Sequence, residues 1–262
     1  MTRIAVVTHK EYEIPESPLY IPIMAGAVFC ENVPDCYVRD DSGDNISDKN
    51  TTFSELTALY WLWKHHAEEY PEADYLGLCH YRRLFATKDG RQLRLLNEAD
   101  AEKLTNAGLV VLPKARNYLI ETNYSHYSHA HHAADLDLTR EIVAERHRTY
   151  LDAYDERMNM KTGHRFNMFI MSSTELDDYC SWLFDILFEL ERRLDISYYK
   201  GRDRRVFGLV SERLLDVWID MKRLRSCDID YIFEGNEHLI NKATAMTYRK
   251  IRAARKEFAE RK

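Results

Sequence analysis

Long hydrophobic runs are missing from this 262-residue sequence. No stretch approaches the roughly 20 consecutive apolar residues that a membrane-spanning helix requires, so an integral membrane protein is not indicated. The apolar run at residues 1–8 stops at His9 and Lys10, and it is too short for the hydrophobic region of a secretory signal. We therefore expect residues 4–8 to form a buried first strand and the protein to remain in the cytoplasm.

Paired cysteines and an excess of positive charge are also lacking. The five cysteines are an odd number without any C-x-x-C spacing, which argues against a disulfide framework or a structural zinc site and favours reduced thiols. The net charge of −6 argues against general nucleic-acid binding. The motifs G-x-G-x-x-G, G-x-x-x-x-G-K-[ST] and G-x-S-x-G do not occur, so the ordinary dinucleotide, P-loop and serine-hydrolase functions are not predicted.

Short runs rich in valine, isoleucine and leucine alternate with longer amphipathic patterns, which is typical of an α/β protein. One domain is expected at residues 1–240. A basic, helix-prone tail follows at residues 241–262, which either makes a peripheral contact with an anionic membrane or a partner, or is a solvated helix. Strands are predicted at residues 4–8, 75–79, 109–112 and 168–171, and helices from Ser54, at 176–194 and at 207–221.

Residues 39–50 combine carboxylates, amides, hydroxyls and one glycine, a composition that predicts an ordered polar loop. The loop precedes an amphipathic helix, so its side chains could offer hydroxyl and amide groups to a ligand. A calcium loop is disfavoured because the required acidic spacing and a terminal bidentate glutamate are missing. A purely structural turn remains open.

The predicted strand at residues 75–79 leads into His80, Tyr81, Arg82 and Arg83. Ligands of open α/β sheets bind at the carboxyl ends of the strands. The planar guanidinium groups of arginine suit a diphosphate, so this segment is a candidate phosphate-binding site. An ion pair between the two arginines and the acidic loop is an alternative that is compatible with this role.

A histidine-rich segment, residues 124–135, contains His126, His129, His131 and His132. No H-E-x-x-H motif and no neighbouring cysteine accompany these histidines, so a metal site is disfavoured. A loop lined with tyrosine and histidine that faces a carbohydrate is the favoured interpretation, because such side chains suit sugar rings and hydroxyl groups.

Six segments occur in a fixed order: residues 20–23 (YIPI), 41–50 (DSGDNISDKN), 55–63 (ELTALYWLW), 77–83 (GLCHYRR), 167–171 (NMFIM) and 207–215 (FGLVSERLL). Together they resemble the family catalogued as domain of unknown function 4422, which is found among capsular and exopolysaccharide synthesis proteins. The resemblance extends over about residues 1–225.

The resemblance implies a glycosyltransferase with a GT-A-like fold, which is a Rossmann-type mixed sheet flanked by helices, here with a helical C-terminal extension. It implies transfer of a hexose, with galactofuranose and galactose as candidates, from a nucleotide-diphosphate sugar that we expect to be UDP-linked. The expected acceptor is a glycan or lipid-linked glycan of a surface polysaccharide. A nucleotide-sugar hydrolase or phosphotransferase and a non-catalytic capsule-assembly binding protein are the alternatives.

Many GT-A enzymes hold a divalent metal on the diphosphate with an Asp-x-Asp sequence at a strand end. Here the comparable strand, residues 75–79, is followed by histidine, tyrosine and two arginines. We therefore expect cationic side chains to replace the metal and catalysis to need no cofactor. Mn²⁺ or Mg²⁺ bound at residues 40–48 is the alternative.

Residue roles follow from the motifs and the resemblance. Glu212, one turn into a predicted helix, is the first candidate for general base, although solvation or an ion pair with Arg213 would also explain it. Asp203 is the second candidate for this role. Acceptor contacts are expected from His126, His129 and Asn167. Donor contacts are expected from Thr8, His9, Asp44, Asn45, Ser47, Lys49, Asn50, His80, Arg82 and Arg83.

Overall fold

The computed structural model describes residues 1–233, in which a nine-stranded mixed sheet carries helices on both faces. The strands of this sheet are β1 (Thr2–Thr8), β2 (Tyr20–Met24), β3 (Val38–Arg39), β4 (Tyr75–His80), β5 (Arg83–Asp89), β6 (Gln92–Leu95), β7 (Val110–Pro113), β10 (Phe169–Ser172) and β11 (Ser226–Phe233). Their order in the sheet is β3-β2-β1-β4-β10-β7-β11-β5-β6. Two short strands, β8 (Arg116–Asn117) and β9 (Thr162–Gly163), pair separately.

The central strand β1 determines which residues emerge together at one edge of the sheet. This strand is rich in β-branched residues, and its side chains are buried on both faces of the sheet, as expected for a central parallel strand. Ala5 and Val7 enter the larger core, whereas Ile4 and Val6 enter the smaller core on the opposite face. β1 pairs in parallel with β2 and β4, and Val7 lies opposite His80. The residues that follow β1 and β4 therefore emerge together at one edge of the sheet.

Helices form the outer layers. They are α1 (Asn50–Phe53), α2 (Leu56–Glu69), α3 (Glu98–Thr105), α4 (Asn123–Ala130), α5 (Ala133–Arg146), α6 (Leu151–Asn159), α7 (Ser173–Arg193) and α8 (Val206–Lys222). α2, α5, α6, α7 and α8 contribute to the larger core, and α3 contributes to the smaller core. α7 begins with a capping box in which Ser172 and Glu175 satisfy each other's backbone N–H groups.

The α/β class and the four predicted strands are confirmed, as β1, β4, β7 and β10. The three predicted helices are present as α2, α7 and α8. The first of them does not begin at Ser54, however, because Ser54 has a φ of 54° and separates α1 from α2. The basic tail predicted at residues 241–262 and the predicted domain limit at residue 240 lie outside the described residues.

The prediction that the histidine-rich segment forms a loop is wrong, because this segment forms α4 and the start of α5. The hydroxyl of Thr122 accepts a hydrogen bond from the Ser125 backbone N–H, and the Ser125 hydroxyl accepts one from the Thr122 N–H. This capping box starts the helix at Asn123. Through residue 233, the helices are all too short or too polar to cross a bilayer.

Candidate functional site

A cleft with two lobes lies at the C-terminal ends of β1 and β4. The first lobe has a volume of about 490 Å³ and is lined by the end of β1, the start of α1 and the turn between β4 and β5. The second lobe, of about 450 Å³, is lined by α4, α8 and the segment before β10. We call the residues that line both lobes the junction: Ser54, Glu55, His80, Arg83 and Arg205.

The first lobe brings together donor residues that were predicted from separate motifs. His9 lies there among cationic side chains. Burial lowers the pKa of His9, and the charges of Lys10, Arg82 and Arg205 lower it further. The lobe therefore already has a positive potential without a charge on the imidazole. The predicted donor residues that line it are Thr8, His9, Asn50, His80, Arg82 and Arg83.

The turn between β4 and β5 positions the predicted arginines. His80 and Arg83 are opposite each other in the antiparallel register, with Tyr81 and Arg82 forming the two-residue turn. The Arg83 guanidinium lies 4.2 Å from the centroid of the Phe166 ring. In the described chain neither arginine forms an ion pair with residues 39–50, so the alternative of pairing with the acidic loop is not observed. Their charges remain directed at the cleft.

Arg205, which was assigned no role from the sequence, is a third arginine of the first lobe and belongs to the junction. It ends a 3₁₀ segment, Gly201–Arg205, that leads directly into α8. Its Nε donates a hydrogen bond of 2.7 Å to the Ser54 hydroxyl. Since Ser54 itself separates α1 from α2, this contact ties two distant parts of the chain together at the cleft.

The acidic segment, residues 39–50, is used mainly inside the protein. Asp40 is completely buried, and its carboxylate accepts hydrogen bonds from the backbone N–H groups of Gly26 and Ala27 at 2.8 and 2.9 Å. The Ser47 hydroxyl donates to the same carboxylate at 2.5 Å. These bonds join the chain after β2 to Asp40 and to Ser47, which lies in the 3₁₀ turn before α1.

Asp44, Asn45, Ser47 and Lys49 are not brought to the lining of either lobe described here. Asp44 accepts a hydrogen bond from the Tyr60 hydroxyl, and Lys49 forms an ion pair with Glu191 at 2.7 Å. Asn45 accepts a hydrogen bond from the backbone N–H of Ser47. The geometry thus gives these side chains structural contacts and does not support the donor contacts predicted for them.

The end of β4 does not fit the divalent cation that a GT-A-like fold implies. It carries His80, Arg82 and Arg83 and no carboxylate, and the imidazole Nε2 of His80 is hydrogen bonded to the Phe166 carbonyl. Among residues 1–233, no three histidine, cysteine, aspartate or glutamate side chains come together as metal ligands. Metal independence nevertheless stays a prediction.

The second lobe contains an aromatic pair formed by His126 and Tyr118. The two rings stack with centroids 3.8 Å apart. Burial lowers the pKa of His126, and the charge of Arg213 adds to this effect. Its Nδ1 is buried without a hydrogen-bond partner in the described chain. An aromatic surface of this kind is suited to the face of a sugar ring.

The remaining histidines serve other purposes. His129 is exposed, pairs with Glu121 at 2.5 Å, and does not reach the described lobes. His131 lines the second lobe, and its Nδ1 lies 2.7 Å from the Asp203 carboxylate. Asp203 is therefore held by a histidine, and it is absent from the lining of both lobes as described.

Glu212 lines the second lobe but not the first. Its carboxylate accepts a hydrogen bond of 2.9 Å from the Nη1 of Arg213, a side chain that is itself buried. The ion pair with Arg213 that the sequence left open is therefore present.

Glu55, like Arg205, is a site residue that the sequence analysis missed. It is only 9% exposed, yet it belongs to the junction. Asn167 donates a hydrogen bond of 2.8 Å to Glu55 Oε1 and is itself 2% exposed. The predicted acceptor contact of Asn167 is not supported, because its side chain faces Glu55 and not the described lobes.

The family model for a domain of unknown function, DUF4422, matches residues 3–223. The chain belongs to this family. Among solved structures, it is similar to an apo structure of the bifunctional glycosyltransferase WbbM, with a TM-score of 0.78 and 28% sequence identity. The match covers 90% of this chain and 45% of the WbbM chain, so this DUF4422 chain spans less than half of that protein. No curated protein matches the sequence.

Proposed function

We propose that this DUF4422 chain is a glycosyltransferase that transfers a hexose from a nucleotide-diphosphate sugar to a hydroxyl group of a glycan acceptor. The observation that carries the proposal is the two-lobed cleft, which has arginines where its lobes meet. Two lobes suit two substrates, and a cationic junction suits the charge of a leaving diphosphate. The similarity to WbbM, which is described as a bifunctional glycosyltransferase, supports the same class of reaction.

The first lobe is the proposed donor site. Arg82, Arg83 and Arg205 all line it, so their guanidinium groups would surround a diphosphate. Thr8 and Asn50 also line it and would contact the nucleoside or the sugar. UDP is the proposed nucleotide, and galactofuranose and galactose are the proposed hexoses.

The second lobe is the proposed acceptor site. Tyr118 and His126 provide a stacked aromatic surface for a sugar ring. A glycan or lipid-linked glycan of a surface polysaccharide is the proposed acceptor. In the proposed reaction the acceptor hydroxyl attacks the anomeric carbon, and the arginines stabilise the charge of the departing nucleoside diphosphate without a metal.

Thermal stabilisation by nucleotides tests the donor proposal. A ligand at 100 times its dissociation constant should stabilise the fold by about 2.7 kcal/mol. We expect UDP and UDP-hexoses to raise the melting temperature equally in EDTA and in Mn²⁺. A shift that requires Mn²⁺ would contradict the metal-independent mechanism, and no shift with any nucleotide would contradict the donor site.

Product analysis separates the transferase from the hydrolase alternative. A transferase should consume the UDP-hexose only slowly until an acceptor glycan is added, and the hexose should then appear on that glycan. Full consumption of the donor without an acceptor, with release of free hexose, would instead indicate a nucleotide-sugar hydrolase.

A further inference from the structure

Glu55 is the carboxylate that reaches both lobes. Of the acidic residues in the described chain that line the cleft, Glu212 faces the second lobe alone, whereas Glu55 lies at the junction. We propose that Glu55 is the general base of the transfer, and this assignment rests on the proposed function. Its position is where a hydroxyl group in the second lobe would meet an anomeric carbon in the first.

The carboxylate of Glu55 is held by a buried hydrogen-bond chain. Asn167 donates from Nδ2 to Glu55 Oε1 at 2.8 Å and to the Gly208 carbonyl at 3.2 Å. The Ser211 hydroxyl donates to Asn167 Oδ1 at 2.9 Å, which fixes the orientation of the amide. Asn167 is therefore a positioning residue, and one oxygen of Glu55 is committed to it.

The backbone before β10 supports this arrangement. Phe166 and Asn167 have φ values of 78° and 51°, in the left-handed region that residues other than glycine seldom adopt. Such conformations persist only where surrounding contacts enforce them, and they cluster at functional sites. Here they deliver the Asn167 amide to Glu55 and the Phe166 carbonyl to His80.

The second oxygen of Glu55 is placed for proton transfer. Oε2 forms an ion pair with the Arg205 Nη2 at 3.6 Å, a separation beyond hydrogen-bond distance, and Arg205 lines both lobes. The two other candidate bases are more tightly engaged, Glu212 by Arg213 at 2.9 Å and Asp203 by His131 at 2.7 Å. Glu55 thus combines a fixed position with an oxygen available to a substrate.

The proposed step is a single displacement. The acceptor hydroxyl gives its proton to Glu55 Oε2 while its oxygen forms a bond to the anomeric carbon. The bond from that carbon to the diphosphate breaks, and its electron pair leaves with the nucleoside diphosphate, whose charge Arg82, Arg83 and Arg205 neutralise. Because attack comes from the face opposite the leaving group, the anomeric configuration is inverted.

The test compares Glu55→Gln with Glu212→Gln and with Glu102→Gln, a change of an exposed residue on α3. Glu55→Gln should lower kcat by about 10²–10⁴-fold, because glutamine keeps the size of the side chain but cannot accept the proton. The dissociation constant for UDP should stay within about threefold, because binding of UDP involves no proton transfer to the base. Glu102→Gln should match the wild type, and Glu212→Gln should lose much less activity than Glu55→Gln.

Two results would overturn the assignment while leaving the proposed function intact: wild-type kcat in Glu55→Gln, or a larger loss in Glu212→Gln. A wild-type protein that binds no UDP and transfers no sugar would overturn the proposed function together with the assignment. Measuring wild-type transfer and UDP binding first keeps these failures distinguishable.

A second measurement does not depend on the stability of one variant. Nuclear magnetic resonance of the wild-type product should show an inverted anomeric configuration, and retention would contradict the displacement with Glu55 as base. Glu55→Asp keeps a proton acceptor but withdraws it by one methylene group. Its kcat should fall between those of the wild type and Glu55→Gln, and a value at or below that of Glu55→Gln would contradict the proton-transfer role.

Discussion

Two polar segments border the first lobe and use their charges differently. The acidic segment, residues 39–50, directs the carboxylate of Asp40 inward onto backbone N–H groups, whereas the turn at residues 80–83 directs Arg82 and Arg83 at the cleft. Both segments are rich in polar residues, and both were predicted to bind the donor. Polar composition alone therefore does not identify a ligand site, and the decisive property is whether the protein already satisfies the polar groups.

Removing the Asp40 carboxylate should have the largest effect on the free energy of unfolding. In Asp40→Ala the backbone N–H groups of Gly26 and Ala27 lose their buried acceptor, as does the Ser47 hydroxyl. Each buried unsatisfied group costs about 1–3 kcal/mol, so we expect a loss of about 3 kcal/mol or more in urea unfolding. Asp48→Ala, at an exposed position, should change stability by less than about 0.5 kcal/mol. Equal effects of the two changes would contradict the inward role of Asp40.

Removing a charge from the turn should affect catalysis and not folding. Arg82 is exposed and lines the first lobe, so Arg82→Ala should lower turnover by about 10²-fold or more and leave the unfolding free energy within about 0.5 kcal/mol. Steady-state kinetics with a UDP-hexose measures the loss. Arg91→Ala, at an exposed turn after β5, is the matched control. Wild-type turnover in Arg82→Ala would remove the diphosphate assignment.

Gly26 links the acidic segment to the lobe. It has a φ of +69°, and an added Cβ would lie 2.7 Å from Asn50 Cγ. Gly90 has a similar φ of +61° with nothing within 4 Å of such an atom, so Gly90→Ala isolates the backbone strain. Gly26→Ala should be less stable than Gly90→Ala by about 1–3 kcal/mol.

Asn50 lines the first lobe, so its displacement in Gly26→Ala should also weaken UDP binding, whereas Gly90→Ala should not. Isothermal titration of both variants measures this difference. Unchanged binding in Gly26→Ala would show that the position of Asn50 does not matter for the donor.

The smallest expected effect is a pH dependence of donor binding. Burial and the charges of Lys10, Arg82 and Arg205 hold the pKa of His9 below 6.5 in the free protein. A bound diphosphate would offset those positive charges and raise the pKa of His9, so the complex would bind more protons than the free protein. Affinity for a UDP-hexose should therefore increase about two- to threefold as the pH falls below 6.5. His9→Gln should abolish this increase, and an affinity that falls with pH would have the wrong sign.

Periodicity explains which parts of the fold could be predicted. The strands β1, β4, β7 and β10 are short apolar runs, and α2, α7 and α8 have wide apolar stripes, so local sequence indicates them. β2, β5, β6 and β11 were not predicted, and neither were α3 and α6. β11 has a mixed composition and depends on its neighbours β7 and β5 in the sheet. Non-local pairing of this kind leaves no local signal.

The site was predictable where it depends on strand ends and not where it depends on contacts between distant residues. Thr8 and His80 follow from the rule that ligands bind at the carboxyl ends of strands. Glu55 stands at the beginning of an apolar helix, where a glutamate is ordinary, and its partner Asn167 is 112 positions away. Nothing in the local pattern distinguishes this pair, although both lie in segments that resemble the family.

The position of β10 has a consequence for how the cleft is made. β10 pairs with β4 and β7 in the middle of the sheet, although β4 ends at His80 and β10 begins only at Phe169. Contacts between such distant residues form slowly because a long loop must close first. During synthesis from the N-terminus, β1, β2 and β4 can pair before the Asn167 amide exists to meet Glu55. A nascent chain without β10 therefore cannot yet hold the Glu55 carboxylate through Asn167, and the junction is completed only when the later residue Arg205 has been added.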